Sequence, residues 1–204
     1  MSEKNPNPTE ILSTENSFED QEFTGLALEK PLHLHKKSFA DCVFRSCSLT
    51  GVKFSNCRFN NCEFINCRLA NCQFAGSSLA DVRFCESKIT GLNFQEVNKL
   101  LLNISFNEST LEYCLFNDLA LANTLFLNCT IRDCDFSSAV LDGCDFSGSS
   151  LPGTIFQKSS LKKADFRTAC GYHLNPAENR LQEARFSLPE VLNLLLDTGI
   201  IIED

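Results

Sequence analysis

Twelve cysteines and three histidines are the residues of this 204-residue chain whose types could do chemistry. Ten of the cysteines fall in steps of five or its multiples: Cys42, Cys47, Cys57, Cys62, Cys67 and Cys72, then Cys114, Cys129, Cys134 and Cys144. Zinc held by Cys57, Cys62, Cys67 and Cys72 would need four sulfurs about 2.3 Å from one point. A chain wide enough to enclose the neighbouring phenylalanines holds them too far apart, so no metal is expected. Residues twenty apart would stack, placing Cys42 over Cys62, Cys47 over Cys67 and Cys114 over Cys134 near disulfide range. Parallel side chains and the lack of an export signal in the polar, acidic start favour free thiols in a reducing, cytoplasmic setting. His33, His35 and His173 lie outside the regular pattern, no Ser or Cys nucleophile is paired with a base, and no phosphate loop is visible. Neither an enzyme nor a cofactor is expected.

The elements that carry these residues repeat every five positions. From Phe39 to Phe94, and again from Leu101 to Phe166, a large apolar residue recurs at each fifth position, and the two runs hold 15 of the 18 phenylalanines. Two residues before each of these centres sits a smaller residue, which is where the ten cysteines fall, read here as small hydrophobes facing inward. Two residues after each centre, Asn, Asp, Gly and Ser recur, and these are turn residues. A period of five fits neither a helix nor a flat strand. It fits a chain that turns a corner every five residues, closing a square coil of twenty, with coils roughly 4.8 Å apart. Twenty-six centres make about six and a half coils and a rod roughly 30 Å long. The second run alternates Phe with Leu or Ile, which places Phe on two opposite faces.

The stretches "DCDFS" at 133–137, "GCDFS" at 143–147 and "KADFR" at 163–167, with the Cys-for-Ala version "NCRFNNCEFINCRLANCQFA" at 56–75, resemble the pentapeptide-repeat family and its motif A(D/N)LXX. The resemblance implies an all-β fold, a right-handed quadrilateral β-helix. The chain is also similar to the gyrase-interacting branch of that family, which includes the Qnr quinolone-resistance proteins. Members of that branch dimerise through a helix-bearing C-terminal segment and resemble a stretch of B-DNA in width and negative charge. They occupy the DNA-binding saddle of type II topoisomerases, and some protect the enzyme from quinolones or toxins. The long projecting loops of the Qnr proteins are missing here.

The pattern divides the chain. Residues 1–38 read as an N-terminal cap with a mobile start through about Thr14, and 39–94 as the first run. Residues 95–100 form a phase break in which "QEVNKLL" inserts two residues, predicting a bulge. The second run is 101–166 and the tail 167–204. One extra residue lies between Leu28 and Phe39. In the tail, Ser187 and Glu190 have capping-box spacing and Gly199 is placed to stop a helix. A short α-helix from about Leu188 to Thr198 follows, rich in leucine. Leu188, Val191, Leu192, Leu195 and Leu196 read as a homodimer interface, the alternative being a helix that only lids the last coil.

The formal net charge is −8, which argues against binding nucleic acid through a basic patch. It is unevenly spread: residues 39–100 hold five acids and seven bases, residues 101–166 eight acids and four bases. Glu63 over Arg83, Glu112 over Arg132 and Asp142 over Lys162 are opposite-charge stacks. Glu108, Asp118, Asp133, Asp135, Asp145 and Asp165 remain as an acidic partner-binding surface. Asp135, Asp145 and Asp165 occupy the motif's own D/N position, where a side chain can instead bond a nearby backbone N–H. Two functions follow: a non-enzymatic DNA mimic that binds DNA gyrase, or an interaction scaffold for an unknown protein partner. No membrane partner is expected.

Overall fold

The computed structural model describes residues 12–27 and 32–201. Most of the start expected to be mobile, part of the lead-in and the last three residues lie outside these. The architecture is a right-handed quadrilateral β-helix whose strand pairs are all parallel. Each coil has four short faces. The first face stacks Ser17–Glu19, Ser38–Ala40, Arg58–Asn60 and Ser78–Ala80. The second stacks six strands from Glu22–Thr24 to Phe126–Leu127, and the third four from Arg68–Ala70 to Thr130–Arg132. The fourth pairs His33–His35 with Lys53–Ser55. Beyond Thr130–Arg132 the ladder continues as single bridges, ending with Asp165 against Arg185.

The centres face inward because a three-residue strand with one central side chain can bury only that one. On the second face Phe23, Phe44, Phe64, Phe84, Phe106, Phe126, Phe146, Phe166 and Phe186 form one column. Its ring centroids are 4.7–5.3 Å apart and its planes lie within 18°. In the second run the fourth-face phenylalanines meet this column edge-on, as Phe116 meets Phe126 at 6.1 Å and 89°. The first and third faces there carry Leu121, Leu141 and Leu161, and Leu111, Ile131 and Leu151, all buried. The alternation of the sequence is thus the alternation of faces.

The rod is longer than the two runs. Phe18 and Phe23 already stack on Phe39 and Phe44, and Leu12 is buried against this end. At the other end Phe186 stacks on Phe166, so the coil continues twenty residues into the segment expected to be tail. The column spans about 40 Å at the strand spacing.

The phase break is confined to one side. Phe84 pairs with Phe106 and Ile89 with Leu111, a coil of 22 residues. The two extra residues are taken up by 3-10 turns at Phe94–Glu96 and Lys99–Leu101, capped by Asn93 and Asn98, whose side chains accept from Gln95 N and Leu100 N. Leu101, expected to be the first inward centre of the second run, is 62% exposed and Leu100 90%. Buried Val97 and half-buried Leu102 lie inside instead. The second-face column passes the break unbroken, because the insertion lies before Ile104.

Candidate partner-binding surfaces

The inward cysteines do more than fill space. Ser77 Oγ donates to Phe54 O at 2.8 Å and accepts from Cys57 N–H at 2.8 Å. It therefore sits inside the corner of the preceding coil, in place of the hydrogen bond from residue i+3 back to residue i that would close the turn. Cys67 does this between Phe44 and Cys47, Ser87 between Phe64 and Cys67, and Ser109 between Phe84 and Ser87. Cys134 and Ser149 do it in the second run. Reading cysteine as a small hydrophobe missed this. The signal was the exchange of Cys with Ser, rather than with Ala alone, at positions twenty apart.

The inward thiols of the first run point at backbone carbonyls of the preceding coil, among them Cys57 at Leu34, Cys62 at Phe39, Cys67 at Phe44 and Cys72 at Leu49. Burial pushes Cys62 up to about 11 and Cys72 up to about 12, so these thiols stay protonated as donors. All twelve cysteines are free.

Corner residues obey a second rule. A Cβ on Gly76 would lie 2.5 Å from Asn56 Oδ1, one on Gly91 2.6 Å from Asn71 Oδ1, and one on Gly143 2.5 Å from Asn123 Oδ1. All three glycines have φ of +66° to +71°. An asparagine leaning over the next corner would have to swing aside to admit a Cβ there, and the left-handed backbone favours glycine at the same positions.

The acidic residues do not form one patch. Asp145 and Asp165 are stacked bridge partners on the second face. Asp135 lies on the fourth face, in the ladder from Leu115 to Ile155. Glu108, Asp118 and Asp133 occupy three different corners, each with positive φ. Four of the six are engaged locally, Glu108 by accepting from Asn107 Nδ2 at 3.3 Å. Asp135 Oδ1 accepts from Ser137 N–H and Asp145 Oδ1 from Ser147 N–H, both at 2.8 Å. Asp165 takes the Arg167 guanidinium at 2.6 Å, which holds its carboxyl below the usual range. The expected stacks are realised in part. Glu63 pairs with Arg83 at 2.9 Å. Glu112 stacks on Arg132 but pairs with Lys88 at 2.8 Å. Asp142 accepts from the Lys162 backbone N–H at 3.1 Å, not from its ammonium.

The C-terminal helix is a 3-10 helix, Glu190–Thr198, rather than an α-helix from Leu188. Its intended capping box is used elsewhere. Ser187 Oγ accepts from Thr168 N–H and Glu190 Oε2 from Gly171 N–H, so both turn toward the last coil. Gly199 stops the helix in the left-handed conformation, as its place in the sequence predicts. Asp197 bonds His173 Nε2 at 2.9 Å, and Leu194 packs on the core. The leucines divide. Val191, Leu194 and Leu195 are half-buried against the rod end, whereas Leu188 (76%), Leu192 (39%) and Leu196 (64%) are exposed, with Ile200 and Ile201 beyond them. The segment is a lid on one side and a bare apolar surface on the other.

A family model described as a pentapeptide repeat region matches residues 16–94, and one described as pentapeptide repeats in eight copies matches 129–167. Together they cover more than half of the chain. The chain is a pentapeptide-repeat protein. A comparison with curated protein sequences finds none that matches. Among solved structures, this pentapeptide-repeat chain is similar to trypsin-treated QnrB1, a plasmid-mediated fluoroquinolone resistance protein. The identity is 18%, 92% of each chain is covered, and the TM-score is 0.65. It is also similar to HetL from the cyanobacterium Nostoc, a pentapeptide-repeat protein involved in heterocyst differentiation regulation. There the identity is 16%, 86% of this chain and 76% of that one are covered, and the TM-score is 0.67. At such identities the likeness concerns the fold. No helix among the described residues is long and apolar enough to cross a membrane.

Proposed function

We propose that this pentapeptide-repeat protein is a non-enzymatic DNA mimic, a homodimer joined through its C-terminal tail that binds DNA gyrase or another type II topoisomerase. The observation that carries this reading is the exposure of three leucines, Leu188, Leu192 and Leu196, on a lid fastened to the end of an acidic rod. Apolar side chains so exposed are covered when two copies meet. Val191 and Leu195 then support the interface from behind rather than forming it. Two rods joined at these ends place their acidic second halves side by side at the centre. Glu108, Asp118 and Asp133 on three corners and Asp135, Asp145 and Asp165 on two faces spread charge around the rod. A partner that grips a cylinder from several sides, as a DNA-binding saddle does, is matched by such a field better than by one patch. Similarity to the QnrB1 fold supports the same direction.

The test is sedimentation mass followed by competition. The wild type is expected to sediment as two chains at micromolar concentration, and Leu192→Glu with Leu196→Glu as one. The dimer is expected to displace DNA from gyrase with an affinity that falls steeply with salt. A monomer at high concentration, or displacement indifferent to salt, contradicts the reading. The scaffold reading keeps one observation in its favour, the basic balance of residues 39–100, which a DNA mimic does not use.

A further inference from the structure

The end of the rod opposite the tail carries a cavity of about 400 Å³ lined by Lys36, Lys37, Ser38, Asn56 and Arg58. Three of the five are cations and none is a carboxylate, in a chain of net charge −8. The fold builds this from two successive coils. Lys36 turns the corner with φ +54°, and its N–H donates to Ser55 O at 3.0 Å, which sets it against Asn56 one coil on. Ser38 and Arg58 are register partners on the first face, and Arg58 N–H donates to Lys37 O at 2.8 Å.

Lys37 lies behind the other two cations. It is only 7% exposed. Its ammonium donates to Ser13 O at 3.3 Å, to Glu15 O and to Asn16 Oδ1 at 3.0 Å. These acceptors are all neutral, so among the described residues the hydrogen bonds are satisfied while the charge is not. A buried charge without a counter-charge is costly, and its field extends through the cavity wall. Lys36, Lys37 and Arg58 take part in no ion pair among the described residues. Lys53 on the adjoining fourth face adds to the same basic edge.

We infer that this cavity binds a phosphate-type oxyanion, with the Arg58 guanidinium and Lys36 ammonium as charged donors and Ser38 and Asn56 as neutral ones. Arginine's planar fork matches phosphate oxygens, and the lysine adds a point charge. Lys37 acts from behind as fixed positive charge. The site is independent of the proposed dimer and of any topoisomerase.

Calorimetric titration of the full chain in chloride-free, low-salt buffer near neutral pH tests this, using inorganic phosphate, glycerol 2-phosphate and acetate. Saturable one-to-one binding of phosphate below about 10 mM is expected, with acetate at least about tenfold weaker. Arg58→Gln should weaken phosphate by about tenfold or more and Lys36→Gln by severalfold, both with unaltered thermal unfolding. Binding of the monoester as well as the free ion assigns the site to phosphorylated partners, and binding of the ion alone to free phosphate. No saturable heat, acetate binding equal to phosphate, or full binding by a folded Arg58→Gln chain overturns the inference.

Discussion

Between Phe39 and Phe94 phenylalanine occupies three of the four inward columns, the faces run as short strands, and corners are bridged by a thiol or hydroxyl from the next coil. From Leu121 onward phenylalanine keeps two columns and most corners close on themselves. Thr124, Ala139, Cys144, Ser149, Thr154, Ala164 and Ala169 each donate their N–H to the carbonyl three residues back. With a left-handed residue at the third position, this is the type II pattern. Gly51, Gly76, Gly143, Gly148 and Gly153 all sit at closed corners. Where the following coil offers only Ala164, Ala169 or Ala184, the corner is also closed. These are two solutions to one problem, the pairing of a buried N–H and C=O at each corner, and the residue twenty positions later does not decide between them alone, since the corners ending at Thr124 and Ala139 close although Cys144 and Ser159 follow.

Deleting a ring from the shared column should hurt both halves most. Phe64→Ala and Phe126→Ala are each expected to lose about 3–5 kcal/mol in denaturant unfolding. A loss in one half alone would show that the column is not continuous in its energetics. The corner contrast comes next. Ser77→Ala leaves Cys57 N–H and Phe54 O without their bridge and should cost about 1–3 kcal/mol. Cys144→Ala removes only a donor to Leu121 O, at a corner already closed by Thr124, and should cost about 1 kcal/mol or less. Equal losses would erase the distinction.

Gly143→Ala should cost about 1 kcal/mol or more from its left-handed backbone alone, and more again because of Asn123. Adding Asn123→Gly should restore the second part, and Asn56→Gly with Gly76→Ala should behave alike in the first half. Smallest is the effect of acid. Arg45 lowers the Glu22 carboxyl, Lys88 that of Glu112, and Arg167 that of Asp165. Each adds stability above the usual carboxylate range that is lost as pH falls through the lowered value. Because the cation of each pair is solvent-exposed, unfolding followed below about pH 4 should show only a shallow decline, removed by high salt.

Period, coil size, face alternation, the site of the insertion and the helix stop at Gly199 were legible because one physical constraint, one inward side chain per edge, stamps the sequence every five residues. Leu101 was misread because spacing alone cannot tell an inward leucine from one displayed on a capped turn. The extension to Phe186 was present in the spacing, since Leu181 and Phe186 lie twenty after Leu161 and Phe166, but Gly171 and Pro176 interrupt it. The capping box at Ser187 failed because tertiary partners on the last coil competed for both side chains. The basic cavity was invisible because Lys36, Lys37 and Arg58 meet only after two coils stack.

A DNA gyrase supercoiling assay with purified protein, with and without a quinolone, across a salt series, tests the central claim directly. Inhibition or drug protection that fades as salt rises, and is lost in the Leu192→Glu, Leu196→Glu variant, is the expected result. No effect at a large molar excess over gyrase in low salt would contradict the account.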